Sequence, residues 1–193
     1  FTGARREELC ALRWADVDFE RATIRFERSM QRIPGAGVVF APPKTKRSRR
    51  IIRVGDNCIE LLREYRQIQR EQRLRMGSAW VRTVDICGKT IKNDLIFTRA
   101  DGAPFDPHSI TSWFSKFLKA NDLTSAHFHS LRHSNATLLI ADHVPVSAVS
   151  GRLGHANIST TLNIYTSAIQ SADAAAANSL ESTFERIKEK NHA

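Results

Sequence analysis

Several short stretches of this sequence carry side chains able to do chemistry on a charged ester. In His129-Ser130-Leu131-Arg132-His133, helical spacing puts His129 and Arg132 on one face. That pair suits a bound phosphate. The guanidinium neutralises charge through forked hydrogen bonds, and the imidazole moves a proton near neutral pH. Leu153-Gly154-His155 is followed ten residues later by Tyr165. A tyrosine is a nucleophile once deprotonated, although most tyrosines are core aromatics. Thr2-Gly3-Ala4-Arg5-Arg6-Glu7-Glu8 sets Arg5 and Glu8 on one helical face, a spacing that usually makes only a weak surface ion pair. Between Pro42 and Arg50 the chain holds Lys44, Lys46, Arg47, Arg49 and Arg50. On a short hairpin this basic turn is a good phosphate contact through Lys46, Arg47, Arg49 and Arg50, and Lys44 or Lys46 would reach a backbone oxygen; the ordinary alternative is a solvated loop.

The histidines also permit a metal. His127, His129 and His133 lie close together with Asp142 nearby, and His129 and His133 have the i,i+4 spacing of helical zinc motifs. No Glu stands where such motifs need one, and Arg132 would aim its charge at the ion. No metal and no cofactor are assigned.

The elements that must position these groups follow from periodicity. Phe1 to Trp14 reads as a helix, with Leu9, Leu12 and Trp14 on an apolar side. Asp16 to Met30 alternates loosely, as a strand pair turning near Glu20-Arg21, and Val38 to Phe40 and Ile51 to Val54 read as two more strands. A long helix is expected from Asp56, capped by that residue, to Met76, stopped by Gly77. Its Arg63, Arg66, Arg70 and Arg73 read as a solvated face. Residues 78 to 93 read as loop and Leu95 to Thr98 as a short strand. Helices are expected over Pro107 to Ala120, His129 to Ala141, Val146 to Leu153 with Gly154 as its stop, Ile158 to Tyr165, and Ala168 to Lys188. The fold class is mainly α with a small antiparallel β-sheet near the start.

Composition narrows the partner. The 193 residues hold 29 Lys and Arg against 20 Asp and Glu, a net charge of +9, which favours an acidic partner, nucleic acid foremost. Cys10, Cys58 and Cys87 are odd in number and form no C-x-x-C. That argues against a disulfide framework or cysteine zinc site and for a reducing cytoplasm. No apolar run approaches the ~20 residues of a membrane helix, and no secretory signal is visible.

As an ordered set the motifs are specific. Thr-Gly-x-Arg-x-x-Glu, a basic hairpin, His-x-Leu-Arg-His, Leu-Gly-His and Tyr resemble the tyrosine recombinase (phage integrase) family. The flanks agree: Leu12-Arg13-Trp14-Ala15-Asp16 after the first arginine and Ile158-Ser159-Thr160-Thr161-Leu162-Asn163-Ile164 before Tyr165. The resemblance implies the family's catalytic-domain fold over nearly the whole chain. It also implies that helices and a separate core-binding domain normally precede residue 1. It assigns Arg5, Lys44, His129, Arg132, His155 and Tyr165 to catalysis, with Lys46 the rival to Lys44 and Glu8 in support. Ser130 stands where the family usually has Asp.

The implied chemistry needs no metal and no ATP. Tyr165 attacks a DNA phosphodiester, leaving a 3′-phosphotyrosine and a free 5′-hydroxyl, and a partner strand reverses the step. The implied partners are a double-stranded recombination site and further protomers, four on two duplexes, with the helix over residues 168–193 docking onto a neighbour. Integration or excision of a mobile element or phage is the expected task. A type IB topoisomerase shares the chemistry, although Leu-Gly-His and its spacing to Tyr165 favour a recombinase. A non-catalytic DNA-binding fragment is the third reading.

Overall fold

The computed structural model describes residues 1–42, 48–123, 126–164, 166 and 180–181. The first helix, α1 (Arg6–Cys10), is much shorter than its apolar periodicity predicts. Gly3, at φ +60°, cannot lie in a right-handed helix. Past Cys10, the backbone polar groups are used by a distant segment: Leu12 O accepts from Ile96 N–H (2.9 Å), and Trp14 N–H donates to Asp94 O (2.8 Å). A short 3-10 turn over Trp14–Asp16 follows.

The expected single small sheet is divided. β1 (Val17–Asp18) and β2 (Thr23–Phe26) form the strand pair read from the sequence, with Val17 opposite Ile24. Met30 belongs instead to β3 (Ser29–Ile33), which pairs only with β4 (Gly37–Ala41). β5 (Arg50–Arg53) returns to β2 and completes a three-stranded antiparallel sheet of order β1-β2-β5.

Helix α2 (Asp56–Met76) spans the predicted residues. Gly55 rather than Asp56 is its N-cap, and Asp56 lies in the first turn, where a carboxylate suits the helix dipole. Gly77, at φ +52°, ends it. Buried Gln69 ties α2 to the 94–96 segment: it accepts from Trp14 Nε1 (2.7 Å) and donates to Leu95 O (3.0 Å) and Ile96 O (2.7 Å).

Residues 78–93, read as loop, contain a hairpin, β6 (Thr83–Ile86) and β7 (Lys89–Lys92). It turns at Cys87 and Gly88, both at positive φ, as a tight two-residue connection demands. Leu95 to Thr98 is not a strand; only isolated bridges form there, Arg13 with Leu95 and Thr98 with Pro104.

The C-terminal part is helical: α3 (Pro107–Ala120), α4 (Ser130–Ala141) and α5 (Val146–Leu153). Asp106 accepts from His108 N–H (2.9 Å) and caps α3, with Pro107 in its first turn. His129 is the N-cap of α4 rather than a helical residue. Residues 159–164 are helical. The expected final helix lies outside the described residues apart from residues 180 and 181, which are helical.

The largest hydrophobic cluster unites Leu12, Trp14, Ile24, Phe26, Ile52 and Ile59 with their neighbours, so it joins α1, the three-stranded sheet and α2. A second, around Cys10, Met30, Phe40 and Leu95, seats the two hairpins. The third is small, Ala136, Ile140, Val149 and Leu153, and locks α4 against α5. α5 docks on β5 through backbone carbonyls: Arg50 Nε donates to Arg152 O (2.7 Å), and Arg152 Nη1 to Arg53 O (2.7 Å).

Candidate active site

Arg5 and Glu8 sit at the start of α1. Glu8 is the third helical residue, and its carboxylate folds back to accept the Arg5 backbone N–H (Oε2, 2.8 Å), the carboxylate half of a capping box. Its other oxygen accepts from Arg5 Nη1 at 3.0 Å. Arg50 reaches the same carboxylate from β5 with both terminal nitrogens, Nη1 to Oε1 and Nη2 to Oε2, each 2.9 Å. Glu8 thus accepts four hydrogen bonds, about the full capacity of a carboxylate. Burial alone would raise its pKa; the hydrogen bonds and charge of Arg50, then those of Arg5, bring it below the usual value. The Arg50 guanidinium also stacks on Phe26, 4.6 Å from the ring centre.

Two long-range bonds stitch this element to α4 and α5. Arg5 Nη2 donates to Gly154 O (3.0 Å), the residue that ends α5 in the left-handed conformation. In the reverse direction, Arg132 Nη1 donates from α4 to Gly3 O (2.6 Å), just ahead of α1. These two bonds hold the arginines between α1 and the α4–α5 pair, close enough for the charge of Arg5 to act on Arg132. Gly3 permits the close approach: a Cβ there would lie 2.5 Å from Leu153 Cδ2 and 2.7 Å from Asn135 Oδ1.

Arg132 is only 5% exposed. Its Nη2 is buried with no hydrogen-bond partner among the described residues. Burial, then the charge of Arg5, pulls its pKa down to about 10, with Glu8 acting the other way. The group stays cationic at neutral pH. His129 lies with its ring edge-on to His133, centroids 5.3 Å apart. Its pKa is lowered by burial, then by His133, Arg132 and Arg5. His155 follows Gly154, and its Nδ1 is 2.7 Å from the hydroxyl of Thr161. Burial, then Arg132 and Arg5, lowers it to about 4. Both imidazoles feel both arginines, and both are held towards the neutral form. A cavity of about 540 Å³ opens beside Arg5 and Glu8, lined also by Arg6, Arg32, His108 and Ala156.

The structure thus brings Arg5, Glu8, His129, Arg132 and His155 together. Lys44, Lys46, Arg47 and Tyr165 lie outside the described residues. Arg49 is exposed. Arg50, grouped above with the DNA-contacting turn, is corrected: its side chain, 6% exposed, points inward onto Glu8. Strand alternation could have revealed this, since Arg50 shares parity with buried Ile52 while Ile51 between them is exposed. Thr161, fully buried against His155, and Gly3 were also passed over as site residues. Among the described residues no three His, Cys, Asp or Glu side chains come together to hold a metal, the His127, His129, His133 and Asp142 set included.

Residues 1–171 match the family model described as Phage integrase family. The chain belongs to that family. Curated relatives include a tyrosine recombinase XerC-like protein of Caldanaerobacter subterraneus subsp. tengcongensis, 32% identical over 95% of this chain and 47% of the relative. Another is tyrosine recombinase XerD of Staphylococcus saprophyticus, 35% identical over 86% of this chain and 46% of the relative. The chain spans about half the length of these relatives. Among solved structures, the Tn1549 transposon integrase in complex with transposon right end DNA superposes with a TM-score of 0.71 at 24% identity, covering 85% of this chain and 50% of that one. XerA recombinase does so with 0.62 at 24% identity, over 89% and 51%. These integrase-family structures share the mixed α and β catalytic-domain fold described above.

Proposed function

We propose that this chain is the catalytic domain of a site-specific DNA recombinase or integrase that cleaves and rejoins strands through a 3′-phosphotyrosine. One observation carries the reading. Arg132 is buried, cationic and short of one acceptor among the described residues, and it lies near Arg5 and two imidazoles held towards the neutral form. A buried donor without a partner is costly, and a phosphate oxygen answers both that donor and the local excess of positive charge. Family membership supplies the reaction type.

Arg5 and Arg132 take the two non-bridging oxygens and stabilise the charge that builds on them in the transition state. Tyr165 attacks the phosphorus in line. Its phenol, with an ordinary pKa of about 10, gives its proton to His129, which is held neutral and can accept it. Lys44, or Lys46 in its place, protonates the departing 5′-oxygen. His155 donates to a phosphate oxygen. The tyrosyl ester keeps the phosphodiester bond energy, so a 5′-hydroxyl from a partner strand reverses the reaction without ATP. The two guanidiniums provide the positive charge that a metal would otherwise bring. Arg49 joins the phosphate-contacting surface with Lys46 and Arg47. Glu8 and Arg50 hold Arg5. Four protomers on two duplexes, exchange of the segment over residues 168–193, a cytoplasmic location and a mobile-element or phage task complete the reading.

The test uses duplexes randomised around a nick, so that cleavage traps covalent protein–DNA adducts on a denaturing gel. The parent chain is expected to form adducts and Tyr165→Phe none. Equal adduct from both would remove Tyr165 as nucleophile. Salt-sensitive binding without adduct would make the chain a DNA-binding module. Supercoil relaxation without joint molecules would indicate a topoisomerase.

A further inference from the structure

The turn after Gly154 brings Thr161 back onto His155, with the threonine hydroxyl 2.7 Å from Nδ1. Thr161 has no exposed surface, and its hydroxyl makes no other hydrogen bond among the described residues. We infer that Thr161 is a positioning residue that donates its hydroxyl proton to His155 Nδ1, fixing the imidazole as its Nε2–H tautomer with that N–H free for the substrate phosphate. The presentation to phosphate rests on the recombinase reading; the tautomer does not.

The direction of the hydrogen bond follows from what each choice leaves unpaired. If Nδ1 carried the proton and donated it, the buried threonine O–H would have no acceptor. If the hydroxyl donates, only oxygen lone pairs stay idle. Buried orphan donors are rarer than under-used acceptors, and each costs its full desolvation. An imidazole can accept at Nδ1 only while neutral. Burial, then Arg132 and Arg5, favours the neutral ring by lowering its pKa to about 4. The backbone on either side of the ring is anchored as well: His155 N–H donates to Ser150 O (3.1 Å), and Gly154 O accepts from Arg5. With the main chain fixed and Nδ1 engaged, Nε2–H is the one ring donor left beside two guanidiniums. A neutral donor adds a hydrogen bond to the anion without adding a third positive charge to repel them.

The test is proton–nitrogen correlation NMR of the 193-residue chain, labelled with ¹⁵N, without DNA near pH 7, with His155→Gln identifying the resonances. The parent is expected to show an unprotonated Nδ1 and a protonated Nε2. Thr161→Ser should keep that pattern. Thr161→Val, nearly equal in volume, should move towards a tautomer mixture. A protonated Nδ1 in the parent would overturn the assignment. So would a parent and a valine variant with the same pattern. If the valine variant does not fold, the parent spectrum and the serine variant still decide. In nicked-duplex assays, Thr161→Val should slow adduct formation about fivefold, the worth of one neutral hydrogen bond, and serine should restore it. A parent with the expected tautomer that forms no adduct on any duplex would remove the recombinase reading and leave Thr161 in its role. Adduct formation with a protonated Nδ1 would do the reverse.

Discussion

The candidate site has two unlike banks. On the α1 bank Glu8 accepts from Arg5 and Arg50 at once, and Arg50 also donates to Arg152 O and Ser48 O. This bank rests on the largest hydrophobic cluster among the described residues. The α4–α5 bank stands on a small cluster. Arg132, the cation beside its imidazoles, is held by a single carbonyl and keeps a buried donor unpaired among the described residues, and those imidazoles are held towards neutrality. Saturated charge fixes geometry, whereas under-paired charge is left for a ligand. The first bank acts as a frame and the second receives the anion.

Breaking the frame should have the largest effect on folding. Glu8→Ala leaves Arg50 charged, buried and without its carboxylate, and removal of one partner from a buried pair costs about 3–5 kcal/mol. Arg5→Ala removes a partner that is 35% exposed, so its cost should stay within about 0–1 kcal/mol. Urea denaturation compares the two. Equal losses would mean that Arg50 and Glu8 are no more structural than Arg5. On the other bank the effect should fall on chemistry. Arg132→Met should lower adduct formation about 10²–10³-fold, as loss of one transition-state donor does. Stability should hold or rise, because the variant no longer buries an incompletely paired charge. A chain that unfolds instead would make Arg132 part of the frame.

The sequence discloses the receiving bank better than the frame. His129, Arg132 and His155 belong to local motifs, and Gly154 marks the helix end that turns His155 inward. α2 was legible because Ile59, Leu62 and Tyr65 repeat at helical spacing towards the largest core cluster. The frame depends on pairings distant in sequence. Arg50 looked like one more charge in a basic turn, and nothing local says that its partner lies 42 positions away. Periodicity alone overextends α1, because Leu12 and Trp14 keep helical spacing while their backbone groups bond to the 94–96 segment. The β6–β7 hairpin was missed because its apolar residues, Val84, Ile86 and Ile91, are few and interleaved with charged ones. The Cys87-Gly88 turn was its one local signal.

The junction between the banks can be loosened at Gly3, whose carbonyl receives Arg132. Gly3→Ala puts a Cβ into Leu153 and Asn135 at a left-handed φ. Overpacking of this kind costs about 1–3 kcal/mol, measurable in the same urea series. Because the clash displaces the carbonyl that anchors Arg132, adduct formation should fall more than the stability loss explains. A variant that is destabilised yet cleaves normally would separate the Gly3 contact from catalysis.

The gentlest probe is pH, and its sign is fixed by the direction of the His155 shift. The folded pKa, about 4, lies below the ordinary 6.5, so between these values the unfolded chain binds more protons than the folded one. Stability therefore rises with pH across that window. His155 contributes fully above about 6.5, and its contribution is lost as pH falls towards 4. His155→Gln should flatten this part of the stability curve. It should leave the steeper loss below pH 4.5 untouched, where protonation of Glu8, whose pKa is lowered, undoes the frame. The slope should be modest, because His155 is only half-buried and solvent screens its exposed side. DNA sharpens the test. Burial holds the imidazole towards neutrality first and the two cations add to it; a phosphate between Arg5 and Arg132 would offset the cations, so the His155 titration followed by NMR should move upward on binding a nicked duplex. A midpoint that does not move would mean that the anion sits elsewhere and that the second bank is not where DNA is received.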